Sequence, residues 1–139
     1  MILNYSSGSN SLQWSSEFQK NDIYACANDS VLLPWNVSNS DAENILDIQW
    51  FYEGRSQELI ASEVHGQFVT TPVFSGRVER ATNAGIVLHH VTVLDKGNYS
   101  VEVVVRDASG DANVLRRSVL VEVSGLNIDI FCLTLTSSV

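Results

Sequence analysis

Val31, Leu33, Trp35 and Val37 occupy every second position of their segment, as do Tyr99, Val101, Val103 and Val105 further on. A period of two places each set on one face of a β-strand, so these faces are the first candidates for the core. Similar short runs recur through most of the chain, separated by clusters of Gly, Asn, Asp and Ser, and no helical periodicity of useful length intervenes. The pattern predicts strands near 22–27, at 30–37, 45–53 and 57–62, near 67–69, and at 76–81, 84–91, 97–106 and 112–123. The chain therefore reads as an all-β sandwich. Within 84–91 the inward set is Ile86, Leu88 and Val91, with one slip of register. Elimination leaves Gln49, Phe51 and Glu53 facing outward on 45–53, and Ser100, Glu102, Val104 and Arg106 on 97–106.

Composition narrows this picture. With 139 residues, 45% of them hydrophobic, the chain has material for one real core and not for two. Residues 1–21, rich in Ser, Asn and Gly, read as a leader or flexible N-terminal segment, 22–124 as the domain, and 125–139 as a C-terminal extension or the start of a following domain. The longest apolar runs fall well short of the roughly 18 residues that span a bilayer, and no signal-peptide pattern opens the chain, which reads as a soluble piece excised from a larger protein. A net charge of −8 with only eight Lys and Arg argues against nucleic acid or an anionic membrane as the main partner. Four Asn-x-Ser sequons, at Asn4, Asn28, Asn36 and Asn98, point to the secretory route. His65, His89 and His90 lie in no metal-binding spacing, and neither a phosphate loop nor a nucleophile elbow is present. The reading is a non-enzyme with no cofactor, no metal and no small-molecule substrate.

The stretch Asp95-Lys96-Gly97-Asn98-Tyr99 carries the Asp-x-Gly-x-Tyr spacing of an immunoglobulin strand F, yet Val101 stands where the cysteine of the cross-sheet bridge belongs. Trp35 occupies the partner cysteine's place on strand B, and Trp50 that of the buried strand C tryptophan. With Arg77 at the start of strand D, this constellation resembles a V-set immunoglobulin domain, a two-sheet sandwich of Greek-key topology, over about residues 22–123. In that lettering the predicted segments are A, B, C, C′, C″, D, E, F and G in order. The resemblance implies that Trp35, packed against Val101 and stacked near Trp50, fills the volume of the absent bridge; a slipped register would instead leave Trp35 at an edge. It implies an Arg77–Asp95 ion pair under the sandwich, costly to break if partly buried and bidentate, and worth under about 1 kcal/mol if exposed. Segments A and G run side by side in this fold, which brings Cys26 and Cys132 within reach of a disulfide; the alternative is that Cys132 pairs elsewhere or stays free.

V-like domains without the cross-sheet cysteines resemble the membrane-distal domains of cnidarian allorecognition receptors and of lymphocyte adhesion receptors. The displaced cysteines and the style of the Phe74–Val78 and Asn83–Ile86 segments favour the cnidarian type. The resemblance implies an extracellular, cell-surface location, as the ectodomain of a single-pass membrane protein. Its function would be homophilic binding between opposing cells in self/non-self recognition, with a heterophilic immune-type receptor and a structural spacer as alternatives. The G-F-C-C′-C″ sheet would be the binding face, through Gln49, Phe51, Glu53, Glu102, Val104, Arg106 and Arg116. Asn36 and Asn98 near strand ends and Asn28 ahead of strand B would leave that face free of glycan.

Overall fold

The computed structural model describes residues 13–14, 22–38, 45–81, 83–125 and 132. Eleven strands lie among them: β1 (Gln13–Trp14), β2 (Asp22–Cys26), β3 (Val31–Leu33), β4 (Val37–Ser38), β5 (Ile45–Glu53), β6 (Gln57–Val64), β7 (Gln67–Thr70), β8 (Val78–Arg80), β9 (Ile86–Leu88), β10 (Gly97–Arg106) and β11 (Ala112–Ser124). A six-stranded sheet runs in the order β2-β11-β10-β5-β6-β7 and a three-stranded sheet in the order β3-β9-β8. β2 joins the large sheet by parallel pairing with β11, and β1 pairs with β4. Two residues of the segment read as a leader thus form part of the sheet structure.

The alternating faces meet between the sheets. Leu33, Trp35, Ile48, Trp50, Tyr99, Val101 and Val103 are among the fully buried side chains, and Ile86, Leu88 and Val91 close the core from the smaller sheet. The slip on the way to Val91 falls at His90, whose backbone takes a left-handed φ of 54°. The continuous strand predicted at 30–37 is broken instead into β3 and β4. Pro34 has no N–H to give a ladder, and the chain kinks there so that the Trp35 N–H bonds back to Leu33 at 3.0 Å. Asn83 then stands in for the missing strand: its side-chain oxygen accepts from Val37 N at 2.8 Å and its amide donates to Val37 O at 3.1 Å. Trp35 is buried on the core side, although among the described residues its indole N–H has no hydrogen-bond partner. Trp50 donates its own indole N–H to Ala84 O at 2.9 Å and meets Phe68 edge to face at 5.6 Å, so among the described residues its aromatic partner is Phe68 rather than Trp35.

At the lower end, Tyr99 donates to Asp95 O at 2.6 Å, forming the corner that fixes entry into β10. Burial, and then the charge of Asp95, push the Tyr99 phenol well above its usual range, so it remains a donor. Arg77 meets Asp95 through one nitrogen at 2.7 Å, not through a bidentate fork. The same carboxylate accepts from Thr92 N at 2.8 Å, closing a capping box around the turn at Val93–Asp95. Cys26, at the end of β2, is bonded to Cys132.

Candidate recognition face

Register defines the outward side of the large sheet as four rows. Nearest the β10–β11 turn stand Val114, Val104, Asp47 and Val64; the next row holds Arg116, Glu102, Gln49, Ser62 and Val69. Ser118, Ser100, Phe51 and Leu59 form the third row, and Leu120, Asn98, Glu53 and Gln57 the fourth. All seven residues predicted for the binding face therefore belong to this side or to its upper margin, where Arg106 pairs with Ala112.

The exposure of the outward residues departs from the sequence reading at two points. Phe51 is half-buried, because a β-bulge at Trp50/Phe51 sets it across from Leu59. Ser100, expected to be an outward residue in solvent, faces outward but is fully buried. The reason lies directly above it: Arg116 on β11 reaches across β10 to Glu53 on β5 at 2.5 Å, and also bonds Glu102. Ser100 donates to the same Glu53 oxygen at 2.6 Å beneath this roof. The Ser100 hydrogen bond and, less strongly, the Arg116 charge hold the Glu53 carboxyl below its usual value against the opposing effect of burial. One arginine thus ties three strands and fixes its own fork, at little further entropic cost on binding.

Around this polar centre lies apolar surface. Val114 and Val69 are 59% and 61% exposed, and Val64 and Leu59 less so. The turn above them is preorganised by Asp107, which accepts from Ser109 N, Asp111 N and the Asn113 side chain at 3.0, 2.9 and 2.7 Å, while Gly110 supplies the positive φ. The bond that the Ser109 hydroxyl also donates, and then those from Asp111 and Asn113, hold the Asp107 carboxyl below its usual value.

The position expected for the Asn98 sequon, off the face, does not match β10. Asn98 shares the outward parity of Ser100 and Glu102, is exposed, and stands between Leu120 and Glu53. Nearness to a strand end did not remove it from the face. Asn28 occupies an exposed turn with φ 75°, and Asn36 is half-buried between β3 and β4; neither is on the large sheet. Asn4 lies outside the described residues.

Two positioning groups escaped the sequence reading. Arg80 on β8 grips Glu63 on β6 with Nε–Oε2 at 2.9 Å and Nη2–Oε1 at 3.0 Å, and its guanidinium carbon lies 5.1 Å from the Trp50 ring centroid. The available signal was parity: Glu63 falls on the inward side of β6, where a charge needs a partner. Asn83 is the other, and only its left-handed φ of 56° marks it. His89 bridges Ser30 and Glu79 at 2.7 and 2.8 Å, a surface link. Among the described residues no three His, Cys, Asp or Glu side chains gather as a metal site would require, and no helix is long and apolar enough to cross a membrane.

No protein-family model matches the chain, and no curated protein matches it. Solved structures do. Murine CRIg superimposes with a TM-score of 0.68 at 11% identity, covering 82% of this chain and 97% of the other. Domain 1 of VCBP3 from Branchiostoma floridae gives 0.63 at 17%, covering 82% and 96%, and CD84 gives 0.58 at 14%, covering 78% and 100%. At these identities the similarity concerns the fold alone. Together with the sheet order and the tyrosine corner, it makes this chain an all-β sandwich of the V-type immunoglobulin fold.

Proposed function

We propose that the domain is an extracellular recognition module whose large sheet binds another protein, and that the partner is a second copy displayed on an opposing cell. The observation that carries this reading is the charge of the face. The chain has a net charge of −8, whereas the four rows hold Asp47, Glu53 and Glu102 against Arg116, three negative against one positive, or −2, and at the turn Arg106 stands with Asp107 and Asp111. Two copies meeting through these rows bring together only a small part of that negative charge. A rigid Arg116 centre flanked by exposed valines suits a modest, specific contact strengthened by many copies on a membrane. General recognition is also the theme of the similar folds, and self/non-self discrimination of the kind found in cnidarian allorecognition receptors is its narrower form.

Aggregation of beads coated with the secreted chain tests the proposal. Val114→Asp and Arg106→Glu should each abolish aggregation of otherwise folded protein, since each places a charge against an apolar or opposite-sign contact. Unchanged aggregation by both variants moves the contact off this face. Aggregation only on mixing with beads bearing another protein makes it heterophilic, and none at all returns the domain to a spacer.

A further inference from the structure

Taking that reading as its premise, we infer that an N-linked glycan on Asn98 covers the lower end of the recognition face and confines contact to the end next to the β10–β11 turn. Asn98 begins β10 with its side chain on the outward side, exposed, and among the described residues its amide has no hydrogen-bond partner. The nitrogen that would carry the sugar is therefore bonded to none of the described residues in the folded protein. Its sequon serine, Ser100, is occupied by Glu53 within the fold, but attachment to the nascent chain precedes that bond.

Position on the sheet decides the consequence. Asn98 sits in the fourth row between Leu120 and Glu53, and Ser100 is two residues, or about 7 Å, further along the strand. A branched, strongly hydrated oligosaccharide rooted there stands over the fourth row and within reach of the third. A flat protein partner cannot displace it without stripping water from many hydroxyls, at a cost that a weak contact does not recover. Val104 lies six residues along the same strand, about 20 Å from the attachment point, so the first two rows remain open. Those rows hold Val114, Val104 and Arg116. Leu120, half-buried and apolar on the outward side, is the residue the sugar would shelter. The glycan would set both where a partner docks and how much of the sheet it gains.

The test uses the chain secreted from eukaryotic cells. Peptide mass spectrometry should find Asn98 occupied. With the glycan intact, Leu120→Asp should leave bead aggregation unchanged while Val114→Asp abolishes it. Trimming the folded protein to a single sugar with an endoglycosidase, and independently Asn98→Gln, should raise the aggregation rate severalfold, and Leu120→Asp should then remove that gain. An unoccupied Asn98, a Leu120→Asp loss equal to that of Val114→Asp with the glycan in place, or no effect of trimming each overturns the inference while leaving the face itself standing. If Val114→Asp is harmless as well, the premise fails and the inference with it.

Discussion

Replacing Arg80 by Met should destabilise the domain by about 2–3 kcal/mol, and the structure shows where this comes from. Methionine keeps the apolar stem but abandons both bonds to Glu63 and the donation to Ala81 O and Gly85 O at 2.6 and 3.1 Å. Removing one partner of a buried ion pair costs about 3–5 kcal/mol, mostly through the charge left behind. Here the two side chains are 24% and 18% exposed, so water reaches Glu63 in the variant and the cost falls toward or below the lower bound. Loss of the cation–π contact with Trp50 adds about 0.5–1 kcal/mol. Urea unfolding at neutral pH, followed by tryptophan fluorescence, reads this as a fall in midpoint of about 1–2 M for a slope of about 1.5–2 kcal/mol/M. The double variant Arg80→Met with Glu63→Met should recover much of the loss, because two apolar side chains leave no unpaired charge. A single-variant loss under about 0.5 kcal/mol, or a double variant less stable than Arg80→Met, would refute the clamp.

Trp35→Ala should cost about 3–5 kcal/mol through lost burial and a cavity, whereas a near-neutral unfolding midpoint would remove Trp35 from the core. Because the folded Glu53 carboxyl lies below its usual value of 4.5, its contribution is fully present above that value and is lost as pH falls through the depressed folded value. Unfolding midpoints measured across acid pH should therefore fall less steeply for Glu53→Gln than for wild type; identical profiles would deny Glu53 that role. Raising salt from about 50 to about 300 mM shortens the screening length and should speed homophilic bead aggregation, since two bodies of charge −8 repel; slower aggregation would show that opposite-sign pairs across the contact outweigh this repulsion.

What was legible in the sequence was whatever parity and local chemistry decide. β5 and β10 run from Ile45 to Glu53 and from Gly97 to Arg106, the ranges that alternation predicts, because seven successive pairs from Asp47 to Glu53 hold one register before a single shift at Leu46. Residues 30–37 alternate just as well, yet Pro34 breaks the ladder in their midst, and the side chain that repairs it, Asn83, lies 46 residues from Val37. No local pattern announces such a repair. Asn98 was legible and misread: counting by twos from Ser100 puts it outward, whereas distance from a strand end says nothing about the face. Ser100 shows the opposite limit, since parity gives its direction correctly and only the placement of Arg116 and Glu53 on two other strands determines that it is covered.

The absence of a bridge between β3 and β10 moves the restraints to the margins of the sandwich. At one edge of the large sheet Cys26 ties the end of β2 to Cys132, 106 residues away in sequence, and a loop of that length corresponds to about 4–5 kcal/mol in the chain-entropy picture. Toward the other edge Arg80 links β8 to β6, and beneath the sandwich Arg77 reaches Asp95. In the middle, packing, with Trp35 and Val101 in one apolar cluster, is joined by the Trp50 N–H bond to Ala84 O. The proposed recognition face lies over that middle and is braced from outside by the Arg116 network, which crosses β11, β10 and β5 without touching any marginal restraint. Reducing the disulfide therefore weakens the β2 edge while the geometry of Arg116, Glu53 and Ser100 is retained for as long as the domain remains folded. The proposed face and the marginal restraints thus draw on different residues, which permits the outward rows to change in sequence without breaking those restraints.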